Sequence, residues 1–393
     1  MTLQNKIIFI LFATVFASAQ NVEDLSFGTD STFEIVTWNI EWFPKNGQTT
    51  LDYVTEIIQA LEVDIFAIQE VDDTTMLNDM LENLYPYRAY YESSWFAGLA
   101  YLYNSNVVEI NDIYEIYTSY PYWSPFPRSP MVMDCDVNGE NVIVINNHYK
   151  CCGNGYLDLS DPDDEETRRH TASTLLKEYI DTHFPDKNVI VLGDLNDILT
   201  DSPTNNVFQM FLDDADNYRF ADMDIAEGSS ENWSYPTWPS HIDHLLITNE
   251  LFDEFAGDDS DIQTIKIDEH LDGGWYEYDQ NVSDHRPVGW KFPIFSDLSI
   301  DEKLAPQSFE VHPSYPNPFN PVTTIQFSVE TRLIASLCIY DISGRLVETI
   351  IDNKLVSGDY SVSWNAENQP SGIYFAQLRT GRNVNTQKLM LLK

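Results

Sequence analysis

Short polar motifs stand at the ends of apolar runs throughout the first three quarters of this chain. Thr37-Trp38-Asn39-Ile40, Ile68-Gln69-Glu70, Asn146-Asn147-His148 and Gly193-Asp194-Leu195-Asn196 each follow such a run. Ile242-Asp243-His244 and Ser283-Asp284-His285-Arg286-Pro287 each precede one. Any single motif reads equally well as a cap or a turn. Together they gather oxygen donors and imidazoles with no cysteine among them, which suits a hard cation such as Mg²⁺ rather than Zn²⁺. A hard cation beside His and Asp is the equipment for attack of water on a phosphate ester.

The elements that must position these groups alternate in type. Residues 33–38, 64–69, 142–145, 189–192, 242–247 and 287–292 read as short strands, those at 142–145 and 189–192 solidly apolar. Leu51, Val54, Ile57, Ile58 and Leu61 recur at helical spacing, and residues 165–180 read as a second helix. Alternation of this kind predicts a layered α/β domain, in which functional groups collect at strand ends. The run of acids in residues 159–166 reads as a solvated loop, with Ca²⁺ as a structural ion the alternative. Beyond residue 299 the text turns to a linker and then to Pro- and Gly-punctuated strands, at 323–329, 335–340, 360–364 and 373–378, which fit a small β-sandwich.

Charge supports the same division. The 393 residues hold 21 Lys and Arg against 63 Asp and Glu, a formal net charge of −42. Residues 20–302 carry 12 basic and 56 acidic side chains, net −44, whereas 303–393 carry 8 and 7, net +1. A broad basic surface for gripping nucleic acid is excluded. Hydrophobic residues at 43% and aromatics at 13% are enough for a true core.

At the N-terminus Lys6 precedes an apolar run from Ile7 to Phe16, and Ala17-Ser18-Ala19 follows. This is the pattern of an export signal, and the run is shorter than the about 20 residues a spanning helix needs. The mature chain is expected outside the cell or on its surface, exported through the periplasm, with no membrane span and as a monomer. Its cysteines then meet oxidising conditions. A bridge from Cys135 to Cys151 or Cys152 and a vicinal Cys151–Cys152 pair are both open readings.

The order of the motifs resembles the endonuclease/exonuclease/phosphatase superfamily across residues 33–292. The resemblance implies a four-layered α/β sandwich, two packed mixed β-sheets flanked by helices, with the active site at one end of the sheets. It implies Mg²⁺ held by Asn39, Glu70 and Asp284, with Mn²⁺ as a substitute. His285 matches the catalytic histidine and Asp243 the carboxylate that orients it. His148 matches the second histidine on phosphate, and Asp194 and Asn196 the pair that positions water and transition-state oxygens. Arg128, in Pro127-Arg128-Ser129-Pro130, stands where relatives place an arginine on phosphate. One feature departs from the pattern. Deoxyribonuclease-type relatives carry a glutamate that pairs with the histidine matching His148, just ahead of an apolar strand, and here Phe96-Ala97-Gly98 stands there instead.

The last 80 or so residues resemble a type A sorting domain of the type IX secretion system. His312-Pro313-Ser314-Tyr315-Pro316-Asn317-Pro318-Phe319-Asn320-Pro321, Ile339-Tyr340-Asp341-Ile342-Ser343-Gly344-Arg345, Ser371-Gly372-Ile373-Tyr374 and the closing Lys388-Leu389-Met390-Leu391-Leu392-Lys393 carry that likeness. It implies the secretion machinery as a partner. The expected division is a signal peptide (1–19), a catalytic domain (20–298), a linker (299–310) and a sorting domain (311–393). The leading expectation is a secreted phosphodiesterase acting as a nuclease on DNA or RNA. The alternatives are a phosphomonoesterase or phospholipid phosphodiesterase of the same superfamily, and a non-catalytic surface-binding protein on this fold. Aromatic segments at 95–96, 120–123 and 233–238 could stack on bases or simply pack their loops.

Overall fold

The computed structural model describes residues 21–29, 31–93, 96–293, 309–329, 333–342, 345–355, 358–380 and 383–393. The expected signal peptide, most of the linker and Trp95 lie outside the described residues. The described residues form two compact units, one ahead of residue 297 and one after it.

The first unit is built on two six-stranded sheets. Its strands are β1 (Thr32–Phe43), β2 (Ile65–Val71), β3 (Tyr87–Tyr90), β4 (Gly98–Asn104), β5 (Val108–Glu115), β6 (Met131–Val137), β7 (Glu140–His148), β8 (Asn188–Asp194), β9 (Tyr218–Phe220), β10 (Asp243–Thr248), β11 (Asp261–Thr264) and β12 (Val288–Pro293). The first sheet runs β11-β12-β1-β2-β4-β3 and the second β5-β6-β7-β8-β10-β9. Each has one parallel pair, β1 with β2 and β7 with β8, among antiparallel neighbours. Both sheets are therefore mixed.

Period-two patterning sorts the side chains into layers. On β8, Ile190 and Leu192 face the other sheet, joining Ile35, Ala67, Val144 and Leu245 between the two. Val189 and Val191 face outward, against Leu176 and Ile180 of the helix at residues 165–183. On β1, Val36 and Trp38 face outward against Val54, Ile57 and Ile58 of the first helix. That helix, α1 (Gln48–Leu61), buries its apolar stripe and stops where Glu62 turns left-handed at φ 50°. After α2 (Thr74–Leu81), the longest helix is α3 (Glu165–His183), which starts where the Asp164 side chain accepts from Thr167 N at 2.9 Å. Helix, sheet, sheet and helix make the four-layered α/β sandwich.

The second unit has a three-stranded and a four-stranded antiparallel sheet. Ile325, Phe327, Leu337, Ile339, Trp364 and Leu389 form its core. Its first strand opens at Phe309, inside the stretch expected as linker. Among the described residues no helix is long and apolar enough to cross a membrane.

Candidate functional site

Strand direction alone brings the polar motifs to one end of the sandwich. β1 and β2 run parallel with Asn39 opposite Gln69, and β7 and β8 run parallel with His148 opposite Asp194. β10 returns antiparallel to β8, so Asp243, at its start, lies opposite Asp194, at the end of its neighbour. β12 returns antiparallel to β1, with Val288 opposite Thr37, so His285 stands just beyond the strand, near the level of Asn39. Asn39 joins the two sheets by donating from Nδ2 to Asp194 Oδ2 at 3.0 Å.

The loop that carries His285 is fixed to β1. Ser283 Oγ donates to Asn39 O at 2.6 Å and accepts from His285 N at 3.0 Å. Tyr278 OH donates to His285 O at 2.7 Å and accepts from Trp38 Nε1 at 3.0 Å. Its ring is held by Asp243, whose Oδ2 lies 2.8 Å from His285 Nδ1. His285 Nε2 then faces Asp194 Oδ2 and Asp284 Oδ1, each at 3.8 Å. The Tyr235 ring packs beside it, with centroids 4.8 Å apart.

His148 approaches from the other side. Its Nε2 lies 3.4 Å from Asp194 Oδ2 and 3.8 Å from Glu70 Oε1, while its buried Nδ1 has no hydrogen-bond partner among the described residues. The acid missing from the sequence ahead of β4 is matched here: among the described residues no group bonds that nitrogen. Glu70 Oε2 accepts from Trp42 N at 3.1 Å.

Electrostatics separate the two histidines. Burial opposes charge on His285, but the Asp243 and Asp194 carboxylates outweigh it and lift the ring to about 10. His148 is driven well below the ordinary histidine range by burial, with the positive charges of Arg128 and His285 adding to it. Burial also raises Asp194, to about 7, against the pull of His285 and with a push from Asp243 and Glu70. Four carboxylates crowded around two imidazoles form a site short of positive charge. That donor set, all oxygen on the carboxylate side, fits a divalent cation.

Each expected residue has a place in this arrangement, though not all do the same work. Glu70, His148, Asp194, Asp243, Asp284 and His285 converge. Asn196 is the next donor outward: its N bonds Asp194 Oδ1 at 3.1 Å and its Nδ2 reaches Tyr149 O at 3.3 Å. Asn39 accepts from Glu41 N at 2.9 Å through Oδ1, so both ends of its amide are engaged by protein groups. Arg128 is half-buried and close enough to His148 to influence it. Arg286 does not join the site, because Asp268 grips it at 2.8 and 2.6 Å. The reading of a bridge from Cys135 is overturned: Cys135 is buried between the sheets, with Sγ 3.6 Å from Val142 O, whereas Cys151 and Cys152 lie beyond the far end of β7.

Motif reading missed Glu41. Its Oε2 accepts from Asp284 N at 2.9 Å and pairs with Lys45. Glu41, Trp42, Glu70 and Asn196 all have positive φ, at 37°, 53°, 65° and 54°. Left-handed backbone on non-glycine residues gathers at functional sites, but apolar patterning does not reveal it. A second buried cluster lies behind β10, where Asp222 Oδ2 lies 2.6 Å from His244 Nδ1 and 3.0 Å from His241 Nε2.

The model of the Endonuclease/Exonuclease/phosphatase family matches residues 36–285, and that of the secretion system C-terminal sorting domain matches 314–392. No curated protein matches the chain. Among solved structures it is similar to D. rerio TDP2 complexed with single-strand DNA product, at 15% identity over 67% of this chain and 99% of that one, TM-score 0.49. It is similar to the catalytic domain of human Nocturnin with bound sulfate, at 16% identity over 67% and 95%, TM-score 0.49. A mannosyl-6-phosphatase of Bacteroides thetaiotaomicron is similar at 13% identity over 66% and 98%, TM-score 0.45. The family match spans the unit in which these carboxylates and histidines meet, and the chain belongs to the endonuclease/exonuclease/phosphatase family of metal-dependent phosphoester hydrolases, with a secretion sorting domain behind the catalytic unit.

Proposed function

We propose that the chain is an exported Mg²⁺-dependent phosphodiesterase that cleaves DNA or RNA outside the cell. The observation that carries this reading is the Asp243–His285 pair aimed across Asp194 toward Glu70 and His148. When bound, the cation supplies charge neutralisation and polarises the phosphoryl oxygen. Glu70 and Asp284, with Asn39 behind them, are the residues that hold it in this reading. Asp243 keeps the proton on His285 Nδ1, leaving Nε2 to exchange a proton with the attacking water or the leaving oxygen. His148 stays neutral and donates from Nε2, the nitrogen that faces Asp194 and Glu70, to a phosphate oxygen. Asp194 and Asn196 orient the water, and Arg128 takes a second phosphate oxygen. The polymer reading is supported by aromatic faces nearby. Trp42 is 47% exposed beside Glu70 and packs on Phe96 at 5.7 Å, and Trp238 is 76% exposed on the turn that begins at Tyr235.

One observation favours a second reading, a small phosphate ester as substrate: the catalytic region carries 12 basic and 56 acidic residues. A duplex bears one charge per about 1.7 Å and is repelled at long range, whereas a small ester is not. Measuring kcat/KM for plasmid DNA, RNA and a panel of phosphomonoesters, with Mg²⁺ and with EDTA, decides between them. Added salt should first raise activity on long DNA, because the Debye length falls from about 30 Å at 0.01 M to about 8 Å at 0.15 M. Turnover confined to monoesters would reject the nuclease reading.

A further inference from the structure

Three residues past His148, the chain places two cysteines side by side, with Cys151 Sγ and Cys152 Sγ 3.0 Å apart. The loop that carries them is held from both sides. Arg169 of α3, itself buried, donates from Nη1 to Lys150 O at 2.8 Å and to Cys152 O at 2.7 Å. Its Nε meets Asp197 Oδ2 at 2.8 Å. Gly153 lies against Glu166, and Cys152 adopts φ 72°. The two thiols differ in access: Cys152 is exposed, Cys151 is half-buried. Lys150 Nζ lies 3.7 Å from Cys151 Sγ. Cys135 does not compete, since it is enclosed between the sheets.

We propose that Cys151 and Cys152 form a redox-active vicinal dithiol, a modification site that closes to a disulfide ring once the chain has left the cytoplasm. The oxidant is a protein or low-molecular-weight disulfide of the exported compartment. The Cys152 thiolate attacks that disulfide, breaking its S–S bond and releasing one thiolate. The Cys151 thiolate then attacks Cys152 Sγ in the mixed disulfide and expels the second. Two S–H bonds are lost, one S–S bond forms, one breaks, and the partner leaves as two thiols. Adjacent Cα atoms stand about 3.8 Å apart, below the 4.4–6.8 Å usual for disulfides, so the ring is more reducible than a structural bridge. The ring therefore responds to its surroundings. It closes beside Tyr149, whose N donates to Asp194 O at 2.9 Å and whose O accepts from Asn196.

The test uses the full chain, reduced, then equilibrated with glutathione disulfide, denatured, alkylated with iodoacetamide and digested with trypsin. Cleavage after Arg128, Lys150 and Arg168 separates residues 129–150, with Cys135, from residues 151–168, with both vicinal thiols. The expected result is a 151–168 peptide about 2 Da lighter than its dithiol form and free of alkylation, beside an alkylated 129–150 peptide. Alkylation of both vicinal thiols, a stable glutathione adduct of about 305 Da on Cys152, or a cross-link to the Cys135 peptide would each overturn the proposal. Cys151→Ser removes the second thiol and is expected to trap the glutathione adduct on Cys152. A Cys151→Ser chain that takes up no glutathione would overturn the exchange route.

Discussion

His285 lies on the loop that enters one sheet and Asp243 on a strand of the other, yet Nδ1 of one lies 2.8 Å from Oδ2 of the other. The imidazole is therefore oriented by the way the two sheets pack, as well as by its own loop. His285→Ala is expected to lower kcat by about 10²–10⁴-fold, the range for a positioned acid or base. Asp243→Asn should act in the same direction, and the double variant should lose little beyond the worse single one, because the two act as a unit. Steady-state kinetics on any accepted ester measures this. Additive losses would show that the pair does not work together.

Glu70→Gln keeps the acceptor for Trp42 N but removes a charge from the carboxylate cluster. The Mg²⁺ concentration for half-maximal activity should rise at least about tenfold. Thermal melting in apo buffer should stay close to wild type. An unchanged Mg²⁺ requirement would exclude Glu70 as a ligand.

His244 follows Asp243 on β10 and points to the opposite face, where both ring nitrogens meet acceptors: Asp222 Oδ2 at 2.6 Å and Asp197 O at 2.8 Å. Such a ring is an imidazolium. Burial opposes its charge, but Asp222 prevails and raises it above its ordinary value. Asp222 is depressed in turn, burial notwithstanding, by His244 and His241. His244's contribution is thus full below an unfolded value of about 6.5 and fades as pH climbs through the raised folded value, while that of Asp222 is present above about 3.9 and fades below it. His244→Gln should cost about 3–5 kcal/mol near pH 5.5, with a smaller deficit at pH 9. Denaturant titrations at the two pH values measure the difference, and a deficit independent of pH would contradict the charged pair.

Gly193 holds φ 149° at the point where β8 passes Asn147, and a Cβ there would overlap the Asn147 carbonyl. Gly193→Ala must separate the parallel strands that carry His148 and Asp194. Loss of about 1–3 kcal/mol or more is expected, together with a fall in activity larger than partial unfolding explains. Calorimetry and kcat on the folded fraction check both.

Deleting residues 303–393 should leave kcat unchanged, because every residue of the site precedes residue 287. A folded but inactive truncated protein would refute this division of labour.

The central strands were legible because runs such as Val189-Ile190-Val191-Leu192 are buried on both faces and leave little ambiguity. Edge strands were not: β5 reads Val-Glu-Ile-Asn-Asp-Ile-Tyr-Glu and is largely open to solvent, so its pattern resembles a loop. The site followed the same logic. Asp194 and His148 interrupt apolar text and stand out, but Glu41 acts through a bulge in β1 that no periodicity announces. Asp222 was invisible for another reason, since its histidine partners lie 19 and 22 residues away and only pairing of β9 with β10 brings them together.

The bond from Ser283 Oγ to Asn39 O joins residues separated by 244 positions. During synthesis, then, the nascent chain carries Asn39, Glu70 and His148 long before the histidine they serve exists. A ribosome that stalls ahead of codon 283, or a protease that cuts there, releases a fragment with Asn39, Glu70 and His148 but neither Asp284 nor His285. The last residue of the site, His285, arrives just ahead of β12, a short tether before the sorting domain is translated. A chain that holds the whole site but lacks the sorting domain must therefore end in the short stretch between residues 286 and 314.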